Sequence, residues 1–314
     1  MKQKEIYELA IKMGRSADFR PKDQIDDLLK RAKKAYEKLS KEKKEIFDTE
    51  NLTNPYADTR ILVSTDKNVK RIMMGIDMKE AELLLADKLG NIDLVISHHP
   101  VGIGLAGLDE VMELQADVLE QYGVPINVAE GLLNKRISEV ARGISSSNHN
   151  RAVDAADLLG MPYMCIHTAC DNLAANYLKG IIEKKNPRYV SELIDLLMEI
   201  PEYKEAARRK AGPKLFAGAK ENRCGKIALT EITGGTEGSA EIYERLAQAG
   251  VGTIIGMHMS EKHTEAAKKA HVNAVIAGHI SSDSIGINLF LDELEKKGID
   301  VVPASGLIRV KRTK

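Results

Sequence analysis

The chain has 314 residues, 43% hydrophobic and 29% charged, with Lys plus Arg and Asp plus Glu each totalling 46. That length fits one large or two ordinary domains, and this balance of apolar and charged residues excludes a disordered chain. A formal net charge of zero and 4% aromatic residues without Trp disfavour a nucleic-acid binder, and no apolar run approaches the roughly 18 residues of a membrane span.

Residues 3–13 and 22–48 place apolar side chains at helical spacing. Ile25, Leu28, Leu29, Ala32, Tyr36, Leu39 and Ile46 form one stripe, with Pro21 and Asp23 suited to its start. The segment MKQKEIYELAIKMGRSADFR lacks a continuous apolar core, so neither a signal nor a transit peptide is expected and the protein is read as cytoplasmic. The Lys41, Lys43 and Lys44 cluster is read as a solvated face. Asn54-Pro55 ends this helical extension.

From residue 59 the text alternates. TRILVST, VKRIMMGID and IDLVISH predict strands, with the helix KEAELLLADKLG before the last of these. A helix near 110–122 is followed by PINVAE, which reads as a strand. Residues 129–160 read as largely helical around the polar run SSSNHN, MPYMCIH as a strand, and LAANYLKGIIEKK as a helix ended by Asn186-Pro187. Residues 190–210 read as helical. KIALTEI, GTIIGM and NAVIAGH predict strands, SIGINLFLDELEKKG a helix and IDVVPA a final strand. Strands alternating with helices imply an α/β fold.

In such folds ligand groups gather where strands end at their carboxyl edge. Three strands here end in metal-ligating side chains. DLVISHHP supplies His98 and His99, CIHTACD supplies His167 and Asp171, and AGHISSD supplies His279 and Asp283. His98 and His99 start out on opposite faces of a strand, but the turn forced at Pro100 can bring both rings to one cavity. His279 and Asp283 share a face if the chain turns helical after His279. A lone strand-end histidine is ordinarily a hydrogen-bonded core or surface residue. Four of only eight histidines at strand ends with acidic companions favour a two-metal site instead. Mixed nitrogen and carboxylate donors suit Zn, Fe or Mn. His149 in SSNHNRA, and His258, His263 and His271 near helical text, read as structural. Cys165, Cys170 and Cys224 are odd in number and lack a C-x-x-C pair, so they read as inert thiols of a reducing compartment. The turn TGGTEGS, with Gly234, Gly235 and Gly238 before a helix expected near Ser239, fits either a tight strand-to-helix turn or an anion cradle.

DLVISHHP resembles the DLIITHHP segment of the Nif-three-like family, named for NGG-one-interacting factor three. IHTACD resembles its HTNLD segment, AGHISSD its GHxxSE and TGGTEGS its glycine turn, in the same order, over roughly residues 65–100 and 160–310. The resemblance implies two α/β domains with helices packed on mixed sheets: residues 56–190 completed by 286–314, and residues 191–285, with 1–55 as a helical extension. It also implies a dinuclear site near the domain junction and toroidal hexamers with the sites facing an internal cavity. His98, His99, His167, Asp171 and His279 match the family's ligand positions, Asp171 aligning with the carboxylate that bridges the metals. Departures are Asp283 in place of Glu, a longer stretch between His99 and His167, the first 50 residues, and GMHMSEKH where the family has TGD and a basic, aromatic run.

Some bacterial members are described as GTP cyclohydrolase 1 type 2. The resulting expectation is a dinuclear-metal hydrolase acting on a small molecule such as a nucleotide, with the glycine turn holding its phosphate and His149 or Glu231 shuttling protons. Its rivals are a non-catalytic metal carrier, sensor or assembly factor, and a scaffold that would need exposed apolar patches.

Overall fold

The computed structural model describes residues 1–312. Its helical start is α1 (Gln3–Ala17), α2 (Lys22–Glu37) and α3 (Lys41–Glu45), followed by a 3-10 turn at Thr49–Leu52. The helix expected over 22–48 is therefore broken. Ser40 caps a new helix, its hydroxyl accepting from the Lys43 N–H, because a serine at that position competes for the backbone. Of the expected stripe, Ile25 and Leu29 are buried while Ile46 is exposed. In contrast, α1 belongs to the core: Ile6, Ala10 and Ile11 pack in one cluster with Ile72, Met74 and Ile96.

The next segment runs β1 (Arg60–Val63), β2 (Arg71–Gly75), α4 (Glu80–Leu89), β3 (Leu94–Ser97), α5 (Ile103–Ala106), α6 (Leu114–Gln121), α7 (Ile126–Ser145), α8 (Arg151–Leu158), β4 (Tyr163–Cys165) and α9 (Thr168–Lys185). PINVAE is not a strand but the opening of α7. Pro125 pre-sets a helical start, and Ala129, Leu133 and Val140 bury one face at spacings of four and seven. The helical period outweighs the β-rich local composition. Asn186, left-handed at φ 47°, closes α9 as the Asn-Pro pair predicts.

The remainder is α10 (Val190–Glu199), α11 (Pro201–Arg208), β5 (Lys214–Ala217), β6 (Lys226–Glu231), α12 (Ile242–Gln248), β7 (Val251–Gly256), α13 (Glu261–Lys269), β8 (Asn273–Ile276), α14 (His279–Lys296) and β9 (Asp300–Ala304). β5 escapes sequence reading because an edge strand with one buried residue leaves no clear alternation. Helix α14 starts at His279, five residues before the expected helix.

Two sheets result, ordered β1-β4-β3-β2-β9 and β5-β8-β7-β6. In each, one edge strand is antiparallel (β1 on β4, β5 on β8) and every other pair is parallel. Central strands such as β3, buried at every position, read as unbroken apolar runs because helices cover both faces. The chain passes between the sheets twice, from β4 through α9, α10 and α11 to β5, and from β8 through α14 to β9. Helix α14 crosses α9 at very short range: a Cβ on Gly286 would lie 2.0 Å from the Cys170 carbonyl oxygen. Helix α9 also meets α1 closely, where a Cβ on Gly14 would be 2.7 Å from Ala169 Cα. Among the described residues no helix is long and apolar enough to cross a membrane.

Candidate metal centre

The carboxyl ends of β3 and β4 and the first turns of α9 and α14 converge on one buried spot. The N–H groups of His98 and His99 donate to the Gly75 and Ile76 carbonyls at 2.9 Å each, so the β2–β3 ladder continues through both residues before Pro100 stops it. Their rings nevertheless end up 5.5 Å apart, centroid to centroid. His167 caps α9 with its ring 5.0 Å from that of His98, and Asp171 sits one turn further along. His279 and Asp283 occupy successive turns on one face of α14.

All six residues named from the sequence meet there. The His98 Nε2 atom lies 3.3 Å from Asp171 Oδ1 and 3.6 Å from Asp283 Oδ1. Asp171 turns its other oxygen to His167 Nε2 at 3.6 Å. Asp283 does the same toward His99 Nε2 at 3.5 Å and His279 Nε2 at 3.6 Å, and those two nitrogens face each other at 3.3 Å. The shorter Asp arm, where the resembled family has Glu, thus reaches the cluster, and each carboxylate presents its two oxygens to different imidazoles. Three overlapping groups have donor atoms within 4.8 Å of one another: His98-His99-His167, His99-His279-Asp283 and His98-Asp171-Asp283.

Proton accounting shows that this donor set fits a cation. Three rings are oriented from behind: His98 Nδ1 contacts the Ile166 carbonyl at 3.0 Å, His99 Nδ1 the Asp77 carboxylate at 2.9 Å, and His167 Nδ1 the Asp58 carboxylate at 2.8 Å. Carbonyls and carboxylates only accept, so each Nδ1 carries a hydrogen, and each ring in its neutral form aims an Nε2 lone pair inward. Lone pairs then face carboxylate oxygens. His98 Nε2, Asp171 Oδ1 and both Asp283 oxygens are buried without a hydrogen-bond partner. Such an assembly of acceptors is costly unless positive charge sits among them. Burial opposes charge on His98, but the Asp283 and Asp171 carboxylates overcome it and hold that imidazole well above its ordinary range. Burial likewise opposes ionisation of Asp283, and His98 and its neighbours reverse this and hold its carboxyl low. Clusters of buried His and Asp of this kind can bind a metal ion.

Sequence reading missed the orienting carboxylates. Asp58 also accepts from the Thr168 hydroxyl at 2.6 Å and is fully buried, yet it lies 109 residues before His167 in an ordinary-looking YADTR turn. Asp77 had a visible signal, since it follows β2 just as His98 and His99 follow β3. Orienting groups of this type set ring tautomer and ligand basicity. Asp58→Asn is therefore expected to weaken metal affinity by about ten- to a hundredfold with the fold retained. Competition against a chromophoric chelator measures this, and unchanged affinity would show that Asp58 serves only local structure. His258 was also set aside, yet its ring lies 4.8 Å from that of His279.

Other candidates lie apart. His149 makes no hydrogen bond to the six residues, its carbonyl accepting from the Gly102 N–H at 2.8 Å. The glycine turn is left-handed at Gly234 and Gly235, as expected of a tight turn, and α12 begins at Ile242 rather than near Ser239. Its Gly234 and Thr236 carbonyls accept from Gln115 Nε2 at 2.7 Å each, and the Gly238 N–H points to Glu231 at 3.4 Å. The three cysteines are buried and unpaired.

Glu231 makes no hydrogen bond to the cluster either. Burial, with Glu237 nearby, pushes its carboxyl from an ordinary 4.5 up to about 8. The folded chain then holds a proton that the unfolded chain releases. This contribution to stability is complete below about 4.5, declines by roughly 1.4 kcal/mol per pH unit toward about 8, and is lost above that. Denaturant titrations of wild type and Glu231→Gln are expected to diverge in that window, the variant gaining relative stability as pH rises. Parallel profiles would contradict it.

Structural comparison gives a NIF3 superfamily protein from Sphaerobacter thermophilus, 27% identical with a TM-score of 0.75, covering 98% of this chain and 99% of that one. A more distant likeness is reduced HcgD from Methanocaldococcus jannaschii, 14% identical with a TM-score of 0.48, covering 83% and 94% respectively. No family model and no curated protein matches the sequence. Over nearly its full length, in sequence and in fold, the chain is similar to the NIF3 superfamily protein, a likeness that agrees with the motifs resembling the Nif-three-like family.

Proposed function

We propose that His98, His99, His167, Asp171, His279 and Asp283 hold two divalent metal ions and that the protein is a metal-dependent hydrolase of a small molecule. The observation that carries this reading is the set of buried, unpartnered acceptors facing one another. Two ions rather than one are supported by two poles of the cluster, His167 with Asp171 and His279 with Asp283, joined through His98 and His99. Charge supports it too: Asp171, Asp283, Asp58 and Asp77 supply four carboxylates, which formally balance two divalent cations.

Divalent metals at such a site supply Lewis acidity and bring the pKa of water toward neutrality. The residues themselves do the rest. Asp58, Asp77 and the Ile166 carbonyl keep three Nε2 lone pairs pointed inward, so no reorientation is needed when a ligand arrives. His98 is wholly buried and excludes water from the inner pole. The His279 side chain is 39% exposed and that of His99 24%, so the outer pole is where a substrate oxygen and water can enter. Zn, Fe or Mn suit nitrogen and carboxylate donors.

The test is a hydrolysis screen on metal-loaded wild type and on Asp171→Ala, with GTP as the first probe followed by phosphoester, ester and amide substrates. Turnover that requires metal and disappears in the variant supports the hydrolase. Full metal loading without turnover of any substrate class would instead make the chain a metal carrier or sensor.

A further inference from the structure

We propose that His258 is a substrate-binding residue that donates a hydrogen bond to an oxyanion, a phosphate or a carboxylate, held at the outer pole of the cluster. The inference rests on the metal-centre reading above and extends it to a residue outside the ligand set.

His258 lies two residues beyond the end of β7, and His279 three residues beyond the end of β8. Gly256 and Ile276 are paired neighbours in the ladder, and the Ala277 N–H donates to the Gly256 carbonyl at 2.9 Å. The two histidines therefore leave the same sheet edge side by side. Their rings meet near-perpendicularly, 4.8 Å between centroids at 64°. His258 is half-buried, and its neighbour His279 is the most exposed of the six cluster residues. This places His258 on the exposed side of the cluster.

Its nitrogens set it apart from the rings behind it. His98, His99 and His167 each commit Nδ1 to a protein acceptor. Among the described residues, neither nitrogen of His258 has a hydrogen-bond partner. A neutral imidazole in either tautomer carries one N–H, so His258 always has a donor to offer. It does not join any of the three groups whose donor atoms lie within 4.8 Å of one another, so it is placed to touch what the cluster holds rather than to complete the ligand set. A hydrogen-bond donor beside an accessible metal position suits a negatively charged oxygen that the metal also binds. GMHMSEKH departs from the resembled family at this point, so His258 would give this chain a binding preference of its own.

The experiment is calorimetric titration of inorganic phosphate, and separately acetate, into metal-loaded wild type, His258→Ala and His258→Gln, with metal content measured on each sample. The expected result is that His258→Ala retains wild-type metal content but binds phosphate about tenfold more weakly, and that His258→Gln, which keeps an N–H donor, recovers most of the loss. Weakening with phosphate alone assigns the contact to a phosphate group, and weakening with acetate alone assigns it to a carboxylate. Unchanged binding of both anions overturns the proposal and leaves His258 as a packing partner of His279. Loss of metal in His258→Ala overturns it in favour of direct ligation. A wild type that takes up no metal overturns the metal-centre reading and this assignment with it, an outcome distinct from normal loading with unchanged anion binding.

Discussion

Asp283→Ala is expected to lower metal affinity by more than about a hundredfold, the larger end of what ligand-supporting changes produce. Its two oxygens approach three imidazoles, at 3.6 Å from His98, 3.5 Å from His99 and 3.6 Å from His279, which gives it more imidazole partners than Asp171. It is 1% exposed and both oxygens lack hydrogen-bond partners, so truncation to alanine removes no side-chain hydrogen bond. The side chain is held at the end of an i, i+4 step from His279, so truncation leaves the backbone of α14 in place. Chelator competition followed by elemental analysis measures the loss. Retention of wild-type affinity would place the metal elsewhere.

Gly286→Val is expected to destabilise the fold by about 3 kcal/mol or more and to abolish metal loading along with it. A Cβ there would meet the Cys170 carbonyl oxygen at 2.0 Å and its carbon at 2.8 Å, and backbone atoms cannot rotate aside. The only relief is to push α14 away from α9. Asp283 lies three residues before Gly286 and Asp171 immediately follows Cys170, so that separation would move the two carboxylates apart. Gly180→Ala, in α9 with nothing within 4 Å of the added Cβ, serves as the control and is expected to stabilise by roughly 0.5–1 kcal/mol. Thermal unfolding of the two variants checks both signs. A Gly286→Val protein with wild-type melting would mean that the helices are not packed as closely as the fold requires.

The six side chains of the cluster were legible in the sequence as candidate ligands because strand ends announce themselves. Apolar runs that stop at His98-His99-Pro100, at His167 and at His279 carry their own boundary marks, and the four-residue steps to Asp171 and Asp283 become shared faces once α9 and α14 begin where they do. What orients these side chains was not legible. Asp58 and His167 are joined by a 2.8 Å contact across 109 positions, a pairing that only the β1–β4 alignment creates. The same holds for α1: Ile6 and Ala10 fit any amphipathic helix, and only their packing with Ile72 and Ile96 shows α1 to be core. PINVAE reads as a strand for a local reason, since the β-branched Ile126 and Val128 outweigh a helical period that becomes visible only across the next ten positions.

The most direct test of the central claim is the metal content of the wild-type chain. The protein would be stripped with chelator, reloaded separately with zinc, ferrous iron and manganese, freed of unbound ion and measured by elemental analysis against protein concentration. Two ions per chain for at least one of these metals is the predicted result. A wild type that holds none of them after reloading would contradict the account.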